Sequence, residues 1–257
     1  TLAGALTAAK LKIPVAHVEA GLRQEPKDMP EEINRVLTDR ISYFKFCPSL
    51  KAIENLKAEG IKDGVYFTGD VMLDVFIKIK EKTDMKSVLD KYDLKPKKYV
   101  LSTIHRDFNT DVKERLESIL KGLSRVSERM DVILPIHPRT NKRISEFDLS
   151  KFTKNIKIID PVGYDESVAL TCNAFCVVTD SGGLQKEAYF AKVPGVVMMK
   201  DTGWIELIES RWNILVDADD QMIYEGVFNH PIPEKTDNIY GDGNASEQIV
   251  KIIKEKL

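Results

Sequence analysis

The segment 175-FCVVTDSGGLQKEAYFAKVPGVVMM-199 decides how the fold is read. A β-branched apolar run ends at Asp180, and Ser181, Gly182 and Gly183 turn the chain into a helical stretch. A Pro-Gly pair then leads to a second apolar run. Strand, glycine turn, helix and strand in that order form the repeating unit of an α/β protein with a parallel sheet. The turn itself admits two readings. Backbone N–H groups at the start of a helix point at whatever lies before it, which makes a cradle for phosphate. Alternatively, the glycines supply positive φ at an ordinary strand–helix turn. The apolar run before the turn favours the cradle. So does Glu187, placed one helical turn in, where a carboxylate can accept two ribose hydroxyls.

The same alternation extends in both directions. IPVAHV (13–18), GVYFT (64–68), YVLSTI (99–104), DVILPI (131–136), IKII (156–159) and NILV (213–216) read as further short strands between polar segments of helical period. The clearest helix spans 110–126, with Val112, Leu116, Ile119, Leu120 and Leu123 on one stripe and Asn109 or Thr110 offering an N-cap. A second begins at Pro30, a residue suited to the first helical position, with Glu31 and Glu32 in the first turn. No internal repeat or low-complexity segment interrupts the pattern. A domain boundary is expected near 67-FTGDVMLDVF-76, and 231-PIPEKTDNIYGDG-243 reads as a linker before a final helix.

At 257 residues, 43% hydrophobic and 30% charged, the chain has the composition of a globular protein with a real core. A net charge of −2 argues against nucleic acid or an anionic membrane as partner. Neither a transmembrane-length apolar run nor a signal-peptide pattern occurs. Cys47, Cys172 and Cys176 are odd in number and lie in or beside apolar stretches, as reduced thiols of a cytoplasmic protein do. The four histidines lack ligand spacing, so no metal is expected. The opening 1-TLAGALTAAKLK-12 has no initiator Met and fits a helix entered partway along, so an upstream piece is expected.

In open α/β sheets ligands gather beyond the carboxyl ends of the strands. Glu19 and Arg23 follow the first strand, His105 and Arg106 the third, and His137 and Arg139 the fourth. Asp160, the 180–188 turn and Lys200 follow later ones. Any one of these is ordinary loop polarity; as a set they read as the rim of a site. His105 suits a phosphate contact, a proton donor to a leaving group, or a plain cap. Glu31 with Arg35 is a common pattern of helix N-terminal acid and i,i+4 cation, and the nearby Glu19 is what raises a functional reading. His17, Cys172 and Cys176 read as core.

Taken together, 17-HVEAGLR-23, 29-MPEEINRVLTDRIS-42, 102-STIHRDFNTD-111, 135-PIHPRT-140, 160-DPVGY-164, 179-TDSGGLQKEA-188 and 240-YGDGNAS-246 resemble the non-hydrolysing UDP-N-acetylglucosamine 2-epimerases. The resemblance runs through the whole chain in order. MPEEINRVLTD and 204-WIELIESRWNILV-216 are also similar to enzymes acting on UDP-2,3-diacetamido-2,3-dideoxyglucuronate. It implies two Rossmann-like domains facing a cleft in a GT-B-like fold. Residues 1–69 would be the remainder of the first domain, 70–243 the UDP-binding second, and helix 244–257 would pack back on the first. It further implies a cytoplasmic homodimer, without cofactor, serving cell-surface polysaccharide synthesis. Such enzymes invert C2 by anti elimination of UDP to a glycal and re-addition of UDP.

Glu19 and Glu31 match family carboxylates implicated in the proton transfers, and His105 the histidine near the leaving diphosphate. Ser181, Gly182, Gly183, Glu187, Lys200, Val162 and Ser167 match UDP-binding positions, while Arg23, Arg35, His137 and Arg139 are supporting positions. The chemistry agrees. C2–H is not α to a carbonyl, and departure of UDP from C1 is what makes it removable. No dinucleotide fingerprint appears, which disfavours a transient oxidation. A base, an opposed acid and groups to catch the diphosphate are therefore needed. Several positions depart from the family: Val162 and Ser167 replace a polar residue and an aromatic at uracil, Lys200 replaces an arginine, Phe108 an acid, and TGWIE (202–206) the run TERPE. The family's opening strand, with its Arg and Lys, and its QGDT segment precede the point where this sequence begins. The first domain is therefore expected to be incomplete, and its site with it. The alternatives are the diacetamido uronate epimerase, a hydrolysing epimerase or UDP-sugar glycosyltransferase on the same cradle, and a non-catalytic nucleotide-binding module.

Overall fold

The computed structural model of the chain describes every residue except Pro26, Ile232 and 234–236. Part of the segment read as a linker thus lies outside the described residues. The chain forms two compact units: 1–78 with 201–206 and 237–257, and 79–200 with 207–236. The first unit therefore runs past the expected boundary at 69/70, and helix Val71–Lys82 is shared between the two. No helix among the described residues is long and apolar enough to cross a membrane.

The first unit holds a parallel sheet ordered β1 (Ala16–Val18), β2 (Phe44–Cys47), β3 (Val65–Phe67). Its central strand, 44-FKFC-47, was not among the strands read from the sequence. All four of its residues are buried, Lys45 included, whose ammonium donates to the Asp63 carbonyl at 2.8 Å. The C-terminal helix Ala245–Lys256 lays Ile249 against Phe44 and Phe46, with the Asp74 carboxylate accepting from the Ala245 and Ser246 N–H groups at its start.

The second unit is a six-stranded parallel sheet of β4 (Tyr99–Thr103), β5 (Asp131–Pro135), β6 (Ile156–Ile159), β7 (Cys176–Thr179), β8 (Gly195–Val197) and β9 (Asn213–Leu215). Its spatial order is β6-β5-β4-β7-β8-β9. The chain winds outward from β4 in one direction and from β7 in the other, so the order reverses between these two. A doubly wound sheet leaves its crevice at that reversal.

The long helix of this unit spans Lys113–Ser127 and buries Leu116, Ile119, Leu120, Leu123 and Val126 against the sheet. Val112 is its exposed N-cap rather than part of the stripe, and Asn109 and Thr110 belong to a separate short helix, Asp107–Thr110. Ile119 is fully buried, so Ile119→Val is expected to cost about 1 kcal/mol of stability, read as a lower urea midpoint with unchanged slope.

Candidate functional site

β4 and β7 run side by side, Thr103 opposite Thr179, and their hydroxyls meet at 2.6 Å at the carboxyl ends of the strands. His105 leaves β4 here and Ser181 leaves β7, so both flank the reversal point of the sheet. Asp180 ties them together. Its side chain is fully buried, and it accepts from the backbone N–H groups of His105 and Arg106 and from Asn109 Nδ2, each at 3.1 Å. His105 Nδ1 lies 3.2 Å from the same carboxylate. With Nδ1 on the Asp180 side, Nε2 is the ring nitrogen left to meet a ligand.

Asn109, read from the sequence as a cap, is instead the second brace. It donates to Asp180 and to the Met198 carbonyl and accepts from Arg115. Arg115 in turn holds Asp217 at 2.5 Å, and the Asp217 carboxyl lies below its usual range: burial pushes it up, but Arg115 and the nearby Lys200 more than offset that. Lys200 is exposed at the end of β8's extension.

Gly182 and Gly183 are the first two residues of helix Gly182–Phe190, so their backbone is helical and positive φ is not their use. Ser181 is the N-cap; its own N–H donates to Thr179 Oγ1 at 2.9 Å and its Oγ accepts from Leu184 N at 3.4 Å. The N–H groups of both glycines therefore remain directed past the helix end, where a diphosphate oxygen can take them. Glu187 lies five residues into this helix, buried, and the burial raises its carboxyl above the usual range against the pull of a Tyr164 hydrogen bond and of Lys186. Val162 packs at the edge of the adjoining core, and Ser167 sits in the first turns of helix Tyr164–Asn173, its N–H given to Gly163 O. His137 caps helix Pro138–Glu146, accepting from Arg139 N at 3.2 Å, while the Arg139 guanidinium is paired with Asp111.

In the first unit Glu19 follows β1 directly, with φ at +64°, and is part-buried. Glu31 is exposed at the second position of helix Pro30–Ile41; its neighbour Glu32 is the buried acid, accepting from Gln24 N at 3.1 Å and pairing with Arg35 at 3.4 Å. The i,i+4 pair expected between Glu31 and Arg35 is thus an i,i+3 pair with Glu32. Arg23 is committed internally to Glu59 and Asp39. A cavity of about 850 Å³ in this unit is walled by Arg23, Glu32, Ile33, Val36, residues 201–203, Ile205 and Glu206, and neither Glu19 nor Glu31 lines it. None of Asp180, Asn109 and Glu32 was read from the sequence as a buried brace. A polar residue beside a motif gives no sign of turning inward, although the acid next to SGG and the Asn of HRDFN were both in view.

The model of the family described as UDP-N-acetylglucosamine 2-epimerase matches residues 1–254. A UDP-N-acetylglucosamine 2-epimerase homolog of Methanococcus maripaludis is 46% identical over 99% of this chain and 72% of its own length. A UDP-2,3-diacetamido-2,3-dideoxy-D-glucuronate 2-epimerase of Pseudomonas aeruginosa is 41% identical over 98% of this chain and 71% of its own length. The fold superposes on that of the Methanocaldococcus jannaschii UDP-GlcNAc 2-epimerase, crystallised with UDP-GlcNAc and UDP, with a TM-score of 0.86 at 43% identity. The match covers 99% of this chain and 72% of that one.

Proposed function

This chain belongs to the UDP-N-acetylglucosamine 2-epimerase family, and from that premise we propose that it is an isomerase inverting C2 of UDP-N-acetylglucosamine to give UDP-N-acetylmannosamine. The observation that carries the nucleotide half of this reading is Asp180. One buried carboxylate braces His105 directly, and the next residue opens the helix whose glycine N–H groups are free to meet phosphate. A leaving diphosphate held there has its proton source fixed beside it.

In the forward step a carboxylate base takes the C2 proton. The C2–H electron pair forms the C1–C2 double bond, and the C1–O pair departs with UDP, whose charge is met by Gly182, Gly183, Ser181, Lys200 and protonated His105. Glu187 holds the ribose diol, and Val162 and Ser167 sit at the base. The reverse step delivers a proton to the other face of C2 and returns the UDP oxygen to C1. We assign the two proton-bearing carboxylates to Glu19 and Glu31, with Arg35 in support. Support for Glu19 is its left-handed backbone directly after a strand; support for Glu31 is its exposure at a helix start.

A second reading, epimerisation of the diacetamido uronate, is favoured by the Pseudomonas relative. The proposal extends to a homodimer acting in the cytoplasm to supply activated sugar for cell-surface polysaccharide, for which the likeness to the family is the support. The test incubates full-length protein with UDP-N-acetylglucosamine in deuterated water. Expected is one deuterium at C2 in both epimers and growth of the UDP-linked mannose form. Free sugar with UDP would indicate a hydrolysing enzyme, turnover of the uronate alone would establish the second reading, and no C2 exchange with either substrate would defeat both.

A further inference from the structure

A non-glycine residue in the left-handed region costs on the order of 1 kcal/mol or more and persists where its surroundings impose it. Lys12, Asp93, Asp148, Lys192 and Arg211 adopt that conformation just after helix ends, where it closes the last turn. Lys97 and Asp217 adopt it in loops, and Glu19 adopts it directly after β1, with φ at +64°. Something other than helix geometry holds it there.

The chain on both sides of Glu19 is gripped by one side chain. Asp39, on helix Pro30–Ile41, has no exposed surface. Its Oδ1 lies 2.6 Å from Nδ1 of buried His17, two residues before Glu19. Its Oδ2 accepts from the N–H of Gly21, two residues after, at 3.2 Å, and from Arg23 Nη1 at 2.8 Å. The rest of the turn is pinned in the same way. Ala20 N–H donates to Phe46 O at 3.1 Å, and Asn55 Nδ2 donates to Gly21 O at 3.0 Å. Gly21, at φ +81°, lies so close to helix Leu50–Ala58 that a Cβ would sit 2.3 Å from Ala52 O. Arg23 is locked by both Glu59 oxygens, at 2.5 and 2.9 Å. Burial works against this cation, yet the hydrogen bonds to Glu59 and Asp39 outweigh it and hold the guanidinium firmly charged.

We propose that Asp39, which joins His17, Gly21 and Arg23 around Glu19, is a positioning residue of the epimerisation: it fixes the Glu19 carboxylate in the geometry that proton transfer at C2 requires. The proposal rests on the reading that Glu19 exchanges that proton. Asp39 touches no substrate in this account; it acts through the backbone of the turn. One carboxylate oxygen accepts from Gly21 N–H and Arg23 while the other faces His17 Nδ1; an alanine removes all three contacts, whereas an amide can keep them by turning its NH2 to a neutral imidazole.

Displacing a catalytic group by about 1 Å costs on the order of 100-fold in rate. In full-length protein, Asp39→Ala is therefore expected to lower kcat for epimerisation by about 100-fold, with KM and the UDP dissociation constant within about two-fold of wild type, since uniform binding is untouched. C2 deuterium exchange falls by the same factor. A kcat within about three-fold of wild type overturns the proposal. So does a parallel loss of UDP affinity, which marks a general loss of structure. Should Asp39→Ala fail to fold, Arg23→Lys, which keeps the charge but not the planar fork, carries the same test with an expected drop of about ten-fold in kcat alone, and an unchanged kcat there is equally fatal. Glu19→Gln run alongside separates the two claims: if it keeps wild-type exchange, the assignment of Glu19 fails; if it abolishes exchange while both turn variants stay at wild-type kcat, the positioning role alone fails.

Discussion

Glu19→Gln in full-length protein is expected to reduce epimerisation and C2 deuterium exchange by about 10³-fold, with UDP binding unchanged within about two-fold. Glutamine is nearly isosteric and holds no proton-accepting charge near neutral pH, so the substitution removes one function and little shape. The residues assigned to the nucleotide, Ser181, Gly182, Gly183 and Glu187, all lie in the second compact unit, whereas Glu19 lies in the first. A loss confined to turnover is what a proton-transfer role requires, because an interaction made only in the transition state lowers kcat and kcat/KM together. A module that merely holds nucleotide would bind UDP as before and lose nothing, having no turnover to lose. Full exchange activity in the variant would remove Glu19 from the chemistry.

The sequence carried the second unit well, for a physical reason. Its central strands are short apolar runs buried on both faces, as in 176-CVVT-179 and 100-VLS-102, and such runs are what a parallel sheet covered by helices selects. β2 escaped because it places Lys45 between two phenylalanines and is separated from the preceding helix by only two residues, so neither composition nor a turn marks it. Which of the adjacent acids Glu31 and Glu32 is buried was equally out of reach. Neighbours on a helix point about 100° apart, and the absolute phase is set by what the helix packs against. The roles of Asp180 and Asp39 depend on partners far along the chain, 75 residues from Asp180 to His105 and 22 from Asp39 to His17. Local pattern holds no record of such pairings. What pattern does hold is the residue after each strand, and that was enough to mark His105, Glu19 and the 180–188 turn.

Glu187→Gln is expected to weaken UDP binding by about 10- to 100-fold, since charge-assisted hydrogen bonds to a carboxylate contribute about 1.5–3 kcal/mol each, while the free protein becomes no less stable. Burial raises the Glu187 carboxyl above the ordinary glutamate value, with Tyr164 and Lys186 opposing. The sign follows from which state holds more protons. With the folded value above the unfolded one, the folded state binds the extra proton, so this group's contribution to stability is fully present below the ordinary glutamate range and is lost as pH rises through the raised value. At neutral pH the ionised carboxylate is thus a cost to the empty fold, and a neutral amide removes it. The ribose diol needs the opposite form, a carboxylate that accepts two hydroxyls. UDP affinity in the wild type is therefore expected to fall as pH drops through the raised value, beginning above the range near 4.3 where an unperturbed glutamate titrates. Tyr164→Phe removes a hydrogen bond that favours the charged form and moves that midpoint upward. Calorimetric UDP titrations from pH 4.5 to 8, beside urea melts of both variants, read the two trends separately. A Glu187→Gln protein that binds UDP as tightly as wild type, or whose affinity has the same pH dependence, would show that this carboxylate is not the ribose acceptor.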